Sequence, residues 1–176
     1  MKTELKNRIK KIKLLVCDVD GVLTDGGAFY SGNGLELKRF SIRDGMGITL
    51  LRKAGYHIAI VTTENTKIVE KRASVLKITD LYQGVVNKIE ALEDLLQKYS
   101  LTWSEVAYIG DDVNDLPVLE KAGLAVVPRN GQAVNKKLAH YITKADGGHG
   151  CVREVCDLLL DLNWKGKKIA ELWLSK

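Results

Sequence analysis

The sequence predicts an α/β protein built on a doubly wound parallel sheet. Short runs rich in Val, Ile and Leu alternate along the 176-residue chain with longer segments of helical periodicity. The short runs lack a clean apolar–polar alternation, as expected of strands whose two faces are both covered by helices. Strands that alternate with helices form parallel sheets through right-handed crossovers. Because no long linker, repeat or low-complexity segment interrupts this pattern, we expect one domain over residues 1–176.

The predicted elements follow one another in a regular order. Five apolar runs are predicted as strands, at 13–19, 57–62, 81–83, 106–110 and 124–128. Segments with apolar residues at helical spacing are predicted as helices, at 44–54, 65–76, 87–99, 112–122, 131–138 and 151–162. A short amphipathic segment, WKGKKIAELWL, follows the last helix. A helix therefore comes directly after every strand except the first.

The segment after the first strand breaks this rhythm. Residues 28–42, AFYSGNGLELKRFSI, read as two strands around SGNG, where glycines suit the positive φ angles of a hairpin turn. The protein would then carry an inserted β-hairpin at this point. Because the hairpin follows the end of a strand, we expect it to project over the carboxyl edge of the sheet.

Composition and charge limit the classes of protein that fit. No apolar run is long enough to span a bilayer, and the basic N-terminus lacks the apolar core of a signal peptide, so we expect a cytoplasmic protein without a membrane partner. The net charge of +5 is concentrated near the two ends, without an accompanying set of base-stacking aromatic residues, which argues against nucleic-acid binding. Three cysteines without a CxxC pair indicate neither a disulfide nor a zinc site.

Polar side chains follow several strands at the point where each strand ends. Asp18 and Asp20 end the first strand, Thr62 ends the second, and GDDVND (110–115) ends the fourth. Lys88 opens the helix that follows GVVN. Ligands of open α/β sheets bind beyond the carboxyl ends of the strands. We therefore expect these groups to meet at one edge of the sheet.

The chemistry of these groups favours a hard divalent cation and a phosphoryl group. Several carboxylates cannot share a cleft without positive charge, and oxygen ligands select Mg²⁺ over Zn²⁺. Lys88 and Thr62 supply a cation and a hydroxyl for phosphoryl oxygens. In the pair Asp18 and Asp20, one aspartate can act as nucleophile and the other can move protons. A turn at Gly21 would free Asp20 for that second task.

The motifs resemble those of the haloacid dehalogenase (HAD) superfamily. DVDGVLT, the Thr after HIAIV, Lys88 and GDDVND match its four motifs in order. The match is closest to a small, nearly capless branch typified by phosphatases of 3-deoxy-D-manno-octulosonate 8-phosphate (KDO 8-phosphate). RDGMGI, LYQG, YIGDDVNDLPVL, GLAVVP and GGHGCVREVCDLLL resemble that branch as well. The resemblance covers nearly the whole chain and implies a Mg²⁺-dependent phosphomonoesterase of lipopolysaccharide biosynthesis that forms an aspartyl-phosphate.

The resemblance implies roles for the acidic positions. Asp18 would be the nucleophile and a ligand of Mg²⁺. Asp20 would be the general acid/base and would bind the metal through its backbone carbonyl, with Asp111 as the third protein ligand. Asp112 and Asp115 would lie behind these ligands, where they would hold metal-bound waters and the phosphoryl-binding lysine.

The remaining implied roles concern the phosphate and the sugar. Thr62 and Lys88 would bind the phosphoryl group of a phosphorylated keto-sugar acid. The resemblance also implies a homotetramer in which the 28–42 hairpins associate. Arg43 and the 147–150 segment, which contains His149, would then help to close the site across a subunit boundary.

Two departures from the branch leave the sugar open. The branch usually has T-G-R where this chain has Thr62-Thr63-Glu64, and often GG-R-G where His149 stands here. A glutamate at position 64 instead resembles phosphatases of nine-carbon keto-sugar acid 9-phosphates. Those phosphatases tend to have a lysine eleven positions further on, where this chain has Val75. An eight-carbon and a nine-carbon substrate both fit, with Arg43, Glu64 and His149 as the candidate sugar-binding residues.

Two other functions use a similar sheet. Receiver modules of signalling systems combine an acid cluster, Mg²⁺, a Thr and a Lys, but their phosphoacceptor Asp ends the third strand, and LYQ has no Asp at its end. Some sugar-activating enzymes carry a domain of this type only for oligomerisation. All positions of chemical importance are filled in this chain, which argues against a scaffold of that kind.

Overall fold

The computed structural model describes residues 3–32, 36–163 and 167–174. Its strands are β1 (Leu14–Cys17), β2 (Phe29–Tyr30), β3 (Glu36–Leu37), β4 (His57–Val61), β5 (Asp80–Tyr82), β6 (Val106–Ile109), β7 (Leu124–Val127) and β8 (Tyr141–Ile142). Its helices are α1 (Thr3–Lys11), α2 (Ile42–Lys53), α3 (Lys67–Leu76), α4 (Lys88–Tyr99), α5 (Leu116–Lys121), α6 (Ala133–Leu138), α7 (Cys151–Asn163) and α8 (Lys167–Leu174). None of these helices is long and apolar enough to cross a membrane.

Six strands form one parallel sheet in the order β5-β4-β1-β6-β7-β8, which confirms the predicted doubly wound fold. Strand β1 lies in the middle, with Cys17 opposite Ile60 of β4 and Ile109 of β6. Strands β1, β4 and β6 therefore end at nearly the same height along the sheet. This register brings the residues that follow each strand to one edge of the sheet.

The sheet separates two apolar layers. Leu15 and Cys17 of β1 face a layer with α1, α2, α3, α7 and α8, whereas Leu14 and Val16 face a layer with α4 and α5. All four side chains are buried. Full burial of a leucine or valine contributes about 1.5–3 kcal/mol, so packing on both faces holds β1 and the position of its carboxyl end.

The inserted hairpin is shorter than the 28–42 segment predicted for it. Strands β2 and β3 pair Phe29 with Leu37 and Tyr30 with Glu36, and a bridge between Thr24 and Phe40 ties the hairpin to the end of the β1 loop. Residues 33 and 34 of the SGNG turn lie outside the described residues. Helix α2 begins at Ile42, within the predicted hairpin, because the Ser41 hydroxyl caps it by accepting a hydrogen bond from Asp44 N.

The structure differs from the prediction at three other places. Strand β8 was not predicted, because two residues give no readable pattern; it pairs with Val126 and Val127 of β7. The predicted strand 13–19 ends at Cys17, since the chain turns at Asp18. The predicted helix 112–122 is a single tight turn over Val113–Asp115 followed by α5.

Candidate active site

The loop after β1 is a tight turn over Val19–Leu23, closed by a hydrogen bond of 2.9 Å from Thr24 N to Val19 O. Gly21 has a φ of +78°, a region that favours glycine. A Cβ at this position would lie 2.0 Å from Asp111 Oδ2. Glycine therefore allows the turn to approach the loop after β6.

Asp18 stands at the start of this turn and is almost completely buried. Its Oδ1 accepts a hydrogen bond of 2.7 Å from Val19 N, and its Oδ2 lies 2.8 Å from Lys88 Nζ. Burial, and then the charge of Asp115, raise the pKa of Asp18 to about 6, although Lys88 acts in the opposite direction. The carboxylate is thus fixed in place. Lys88 alone does not neutralise the negative charge around it, so a further positive charge would stabilise the ionised form.

Lys88 is the first residue of α4, whose start is capped by Asn87 through a bond from Ile89 N to Asn87 Oδ1. Its Nζ lies between Asp18 and Asp115, at 2.8 Å and 2.7 Å. Burial alone lowers the pKa of Lys88, but these two carboxylates outweigh burial and raise it. The lysine is therefore a fixed positive charge at the carboxyl edge of the sheet.

Asp115 is fully buried and organises the loop after β6. Its Oδ1 accepts hydrogen bonds from Lys88 Nζ and from the Tyr108 hydroxyl, and its Oδ2 accepts from the backbone N–H groups of Asp111 and Asp112. Four donors leave this carboxylate little capacity for a metal. Tyr108 was not predicted as part of the site; its signal is a hydroxyl within an otherwise apolar buried strand.

The carboxylates of Asp18, Asp111 and Asp115 converge, with one oxygen of each within 4.8 Å of the others. Asp111 Oδ1 is buried and, among the described residues, has no hydrogen-bond partner. Burial, followed by the charge of Asp18, raises the pKa of Asp111 to about 7. Since Asp115 is saturated, Asp18 and Asp111 are the pair whose oxygens and excess charge fit a hard cation such as Mg²⁺.

Asp20 lies on the turn at the mouth of the cleft. Its Oδ1 accepts a hydrogen bond of 3.2 Å from the Thr24 hydroxyl, and Lys38 Nζ lies 3.0 Å and 2.9 Å from its two oxygens. Lys38 Nζ also contacts Glu64 Oε2 at 2.5 Å. Sequence reasoning missed Lys38, because nothing in the chain distinguishes it from the other lysines until the hairpin folds over the sheet edge.

Asp18, Asp20 and Asp111 line a cleft of about 400 Å³. Thr62 lines it, and its buried Oγ1 has no hydrogen-bond partner within the described part of the chain. Glu64 and Asp112 line the cleft as well. Asp112 Oδ1 accepts from Val113 N, and Asp112 O accepts from Asn135 Nδ2, another contact not foreseen from the sequence. An unpaired hydroxyl and the buried cation Lys88 thus flank the carboxylates.

Arg43 and His149 do not line this cleft within one chain. Both line a separate cavity of about 490 Å³ beside α7. The His149 ring contacts Gly147 O through Nδ1 and Arg39 Nη2 through Nε2, and Arg39 Nε donates to Asp25 Oδ2 at the rim of the cleft. The structure therefore brings Asp18, Asp20, Thr62, Glu64, Lys88, Asp111, Asp112 and Asp115 together and places Arg43 and His149 outside.

The chain is similar to known proteins of one hydrolase family. Residues 57–154 match the family of haloacid dehalogenase-like hydrolases. The chain is 47% identical over 153 residues to the 3-deoxy-D-manno-octulosonate 8-phosphate phosphatase KdsC of Escherichia coli K12, with 87% of this chain and 81% of that protein covered. A crystal structure of such a phosphatase from Yersinia pestis has a TM-score of 0.90 and 42% identity, with 92% and 88% covered.

A second solved structure is informative for its ligands. The phosphatase of this name from Moraxella catarrhalis was crystallised in complex with a magnesium ion, a phosphate ion and KDO. It superposes on this chain with a TM-score of 0.91 and 36% identity, covering 99% of this chain and 98% of its own.

Proposed function

Because the chain belongs to the family of haloacid dehalogenase-like hydrolases, we propose that it is a Mg²⁺-dependent phosphomonoesterase that hydrolyses KDO 8-phosphate to KDO and inorganic phosphate. The observation that carries the proposal is the fixed carboxylate of Asp18, held by Lys88 and Val19 N, beside the unpartnered Oδ1 of Asp111. A nucleophile and a cation site thus line one cleft, and the buried Lys88 contacts the nucleophile.

We assign Asp18 as the nucleophile. A carboxylate oxygen of Asp18 attacks phosphorus, the bond from phosphorus to the ester oxygen breaks, and an aspartyl-phosphate forms. Because Asp18 is buried and hydrogen-bonded on both oxygens, it needs little reorganisation before attack. Asp18 and Asp111 would hold Mg²⁺ through carboxylate oxygens and Asp20 through its backbone carbonyl, and the bound ion supplies positive charge for the transferred group.

Asp20 is assigned as the general acid and base. Its proton passes to the departing alkoxide of the sugar in the first step. In the second step Asp20 takes a proton from the water that attacks phosphorus, and phosphate leaves as the Asp18 carboxylate is restored. The position of Asp20 at the mouth of the cleft, two residues beyond Asp18, places it on the side from which an ester would enter.

Thr62 and Lys88 are assigned to the phosphoryl oxygens. Thr62 lines the cleft, and its buried hydroxyl has no hydrogen-bond partner among the described residues. Lys88 Nζ uses two of its hydrogens for Asp18 and Asp115, which leaves a third for a phosphoryl oxygen. Asp115 and Asp112 support this arrangement from behind, Asp115 by fixing both Lys88 and the Asp111–Asp112 backbone.

The sugar half of the substrate is assigned to Glu64, Arg43 and His149. Glu64 lies at the mouth of the cleft. Since Arg43 and His149 lie outside the cleft of their own chain, they would act on the site of a neighbouring subunit in a homotetramer. The exposed Phe29, Tyr30 and Leu37 of the hairpin support such an assembly, because large apolar side chains are commonly covered by a partner. We place the enzyme in the cytoplasm.

The assembly is tested by sedimentation of the purified protein. A tetramer that dissociates in the double variant Tyr30→Asp, Leu37→Asp supports it, and a wild-type monomer with full activity would overturn it. Val134→Asp, at another exposed apolar position on α6, is the matched control and should stay assembled.

Activity is tested by phosphate release with Mg²⁺, comparing kcat/KM for KDO 8-phosphate and for nine-carbon keto-sugar acid 9-phosphates. We expect preference for the eight-carbon ester and loss of turnover in a folded Asp18→Asn variant. A clear preference for a nine-carbon ester would overturn the eight-carbon assignment and would mean that Glu64 helps to select the longer sugar. Full activity of Asp18→Asn would overturn the mechanism.

A further inference from the structure

The side chain of Lys38 is buried, although the residue as a whole is half-buried and its neighbours in the hairpin are exposed. Phe29, Tyr30 and Leu37 are 58–70% exposed, whereas the side chain of Lys38 is only 1% exposed. The residue follows β3 directly, and its ammonium group reaches across the mouth of the cleft to Asp20 and Glu64. A long, flexible side chain has thus been ordered, which costs conformational entropy and indicates a specific contact.

The contact is directed at the carboxylate of Asp20. Lys38 Nζ lies almost equally far from both oxygens, at 3.0 Å and 2.9 Å. Within the described residues, the other side-chain partner of this carboxylate is the Thr24 hydroxyl, at 3.2 Å from Oδ1. Thr24 also forms the bridge with Phe40 that ties the hairpin to the turn. Thr24 therefore helps to fix both the position of the hairpin and the orientation of the Asp20 side chain.

Glu64 holds the other side of Lys38. Its Oε2 accepts a hydrogen bond from Lys38 Nζ. Two carboxylates around one ammonium give a charge-assisted network, which fixes a lysine better than a single exposed ion pair does. Glu64 therefore acts on Asp20 indirectly, through the lysine between them.

We propose that Lys38 is a positioning residue that holds the Asp20 carboxyl group at the leaving-group oxygen, with Glu64 as its anchor. The inference rests on the proposed function, in which Asp20 gives its proton to the departing alkoxide. Misplacement of a reacting group by about 1 Å can cost two orders of magnitude in rate. Without Lys38, Thr24 is the side chain among the described residues that would still hold this carboxylate, which is about one-third exposed.

The experiment separates proton transfer from substrate binding. It compares the Lys38→Met variant with the wild type on two substrates, an alkyl phosphate and p-nitrophenyl phosphate, neither of which carries a carboxylate. The measured quantity is kcat/KM, which reports the steps up to departure of the alcohol. An alkoxide needs a proton to leave, whereas p-nitrophenolate does not. We expect kcat/KM to fall at least ~10-fold on the alkyl ester and less than ~3-fold on the aryl ester, in line with a general-acid contribution of ~10²–10⁴.

Two variants serve as controls. Lys38→Arg should restore part of the loss on the alkyl ester, because a guanidinium can still bridge two carboxylates. Lys71→Met removes an exposed lysine of the neighbouring α3 and should leave both values unchanged. Thermal unfolding of each variant checks that the substitution has not destabilised the fold.

The outcomes are distinct. An equal loss on both esters, or no loss on either, would overturn the positioning role of Lys38 while leaving the proposed function intact. A wild-type protein that releases phosphate from neither ester nor from KDO 8-phosphate would overturn the proposed function itself.

Discussion

Tyr108 and Asp115 form a hydrogen bond in the interior of the protein, with the tyrosine hydroxyl 2.5 Å from Asp115 Oδ1 and both residues fully buried. The same oxygen accepts the bond from Lys88 Nζ, which in turn contacts Asp18. A hydroxyl in the middle of β6 thus orients the carboxylate that fixes the lysine of the site. Burial, followed by the charge of Asp115, raises the pKa of Tyr108 well above its usual value, so the hydroxyl remains a donor.

Replacement of Tyr108 by Phe should therefore weaken both the fold and the site. A buried carboxylate that loses one donor costs about 1–3 kcal/mol, and kcat should fall because Lys88 is held less firmly. Urea unfolding and phosphate release measure the two effects. Tyr82→Phe, on a half-buried tyrosine of β5 outside the site, is the matched control. A Tyr108→Phe protein as stable and as active as wild type would show that this bond contributes nothing.

The parts of the site that were predictable from sequence are those placed by a strand end. Asp18, Thr62 and Asp111 follow buried apolar runs directly, so the parallel register alone brings them to one edge. Lys88 follows the same logic, since it opens the helix after β5. For these residues the local pattern and the fold class were sufficient.

The missed parts depend on long-range geometry or on very short elements. Lys38 reaches Asp20 only because the Thr24–Phe40 bridge folds the hairpin over the cleft, a contact that no local pattern contains. Strand β8 is two residues long and is defined by pairing to β7 rather than by its own sequence. Asn135, on α6, donates a hydrogen bond to the backbone carbonyl of Asp112 in the loop after β6, a contact between segments 23 residues apart in the chain.

Gly21 offers a test of the close approach between the two acidic loops. An alanine there would be strained at a φ of +78°, and its Cβ would lie 2.0 Å from Asp111 Oδ2. We expect Gly21→Ala to lower Mg²⁺ affinity and kcat together, because Asp111 must move away from Asp18. The strain alone should cost about 1–2 kcal/mol, visible in thermal unfolding.

Gly32 supplies the matched control for this substitution. It lies in the hairpin, and no atom of the described residues, its chain neighbours aside, lies within 4 Å of an added Cβ. Gly32→Ala should keep wild-type Mg²⁺ affinity. If Gly21→Ala also kept it, the steric account of the turn would be wrong.

Lys88 should be required for stability as well as for turnover. Lys88→Met leaves Asp18 and Asp115 without their shared cation in a buried site, and breaking such a pair from one side costs about 3–5 kcal/mol. We expect turnover to be lost and the midpoint of urea unfolding to fall. Lys121→Met, which removes a lysine from an exposed pair with Glu93, should change neither measurably. A Lys88→Met protein with wild-type stability would show that the two aspartates find other compensation.

The raised pKa values of Asp18 and Asp111 predict how pH acts on the metal-free protein. Both carboxyls hold a proton more tightly in the folded state, with pKa values of about 6 and about 7, than in the unfolded chain, where their ordinary value is 3.8. Their contribution to stability is therefore fully present below about pH 4 and is lost as pH rises through 6 and 7. Thermal unfolding in a chelator should show this decline, and saturating Mg²⁺ should reduce it, because the cation compensates the same charges.

The same protons should be released when the metal binds. Since a protonated carboxyl is a poor ligand, Mg²⁺ affinity should fall by at least ~10-fold between pH 8 and pH 5.5, more than one unit below the higher of the two values. Calorimetry in two buffers of different ionisation enthalpy measures the proton release directly. Asp111→Asn provides the comparison: it removes the group with the higher pKa, so both the affinity and the proton release should drop. Proton release that is zero at pH 6.5 in the wild type would mean that both carboxylates are already ionised before the cation arrives.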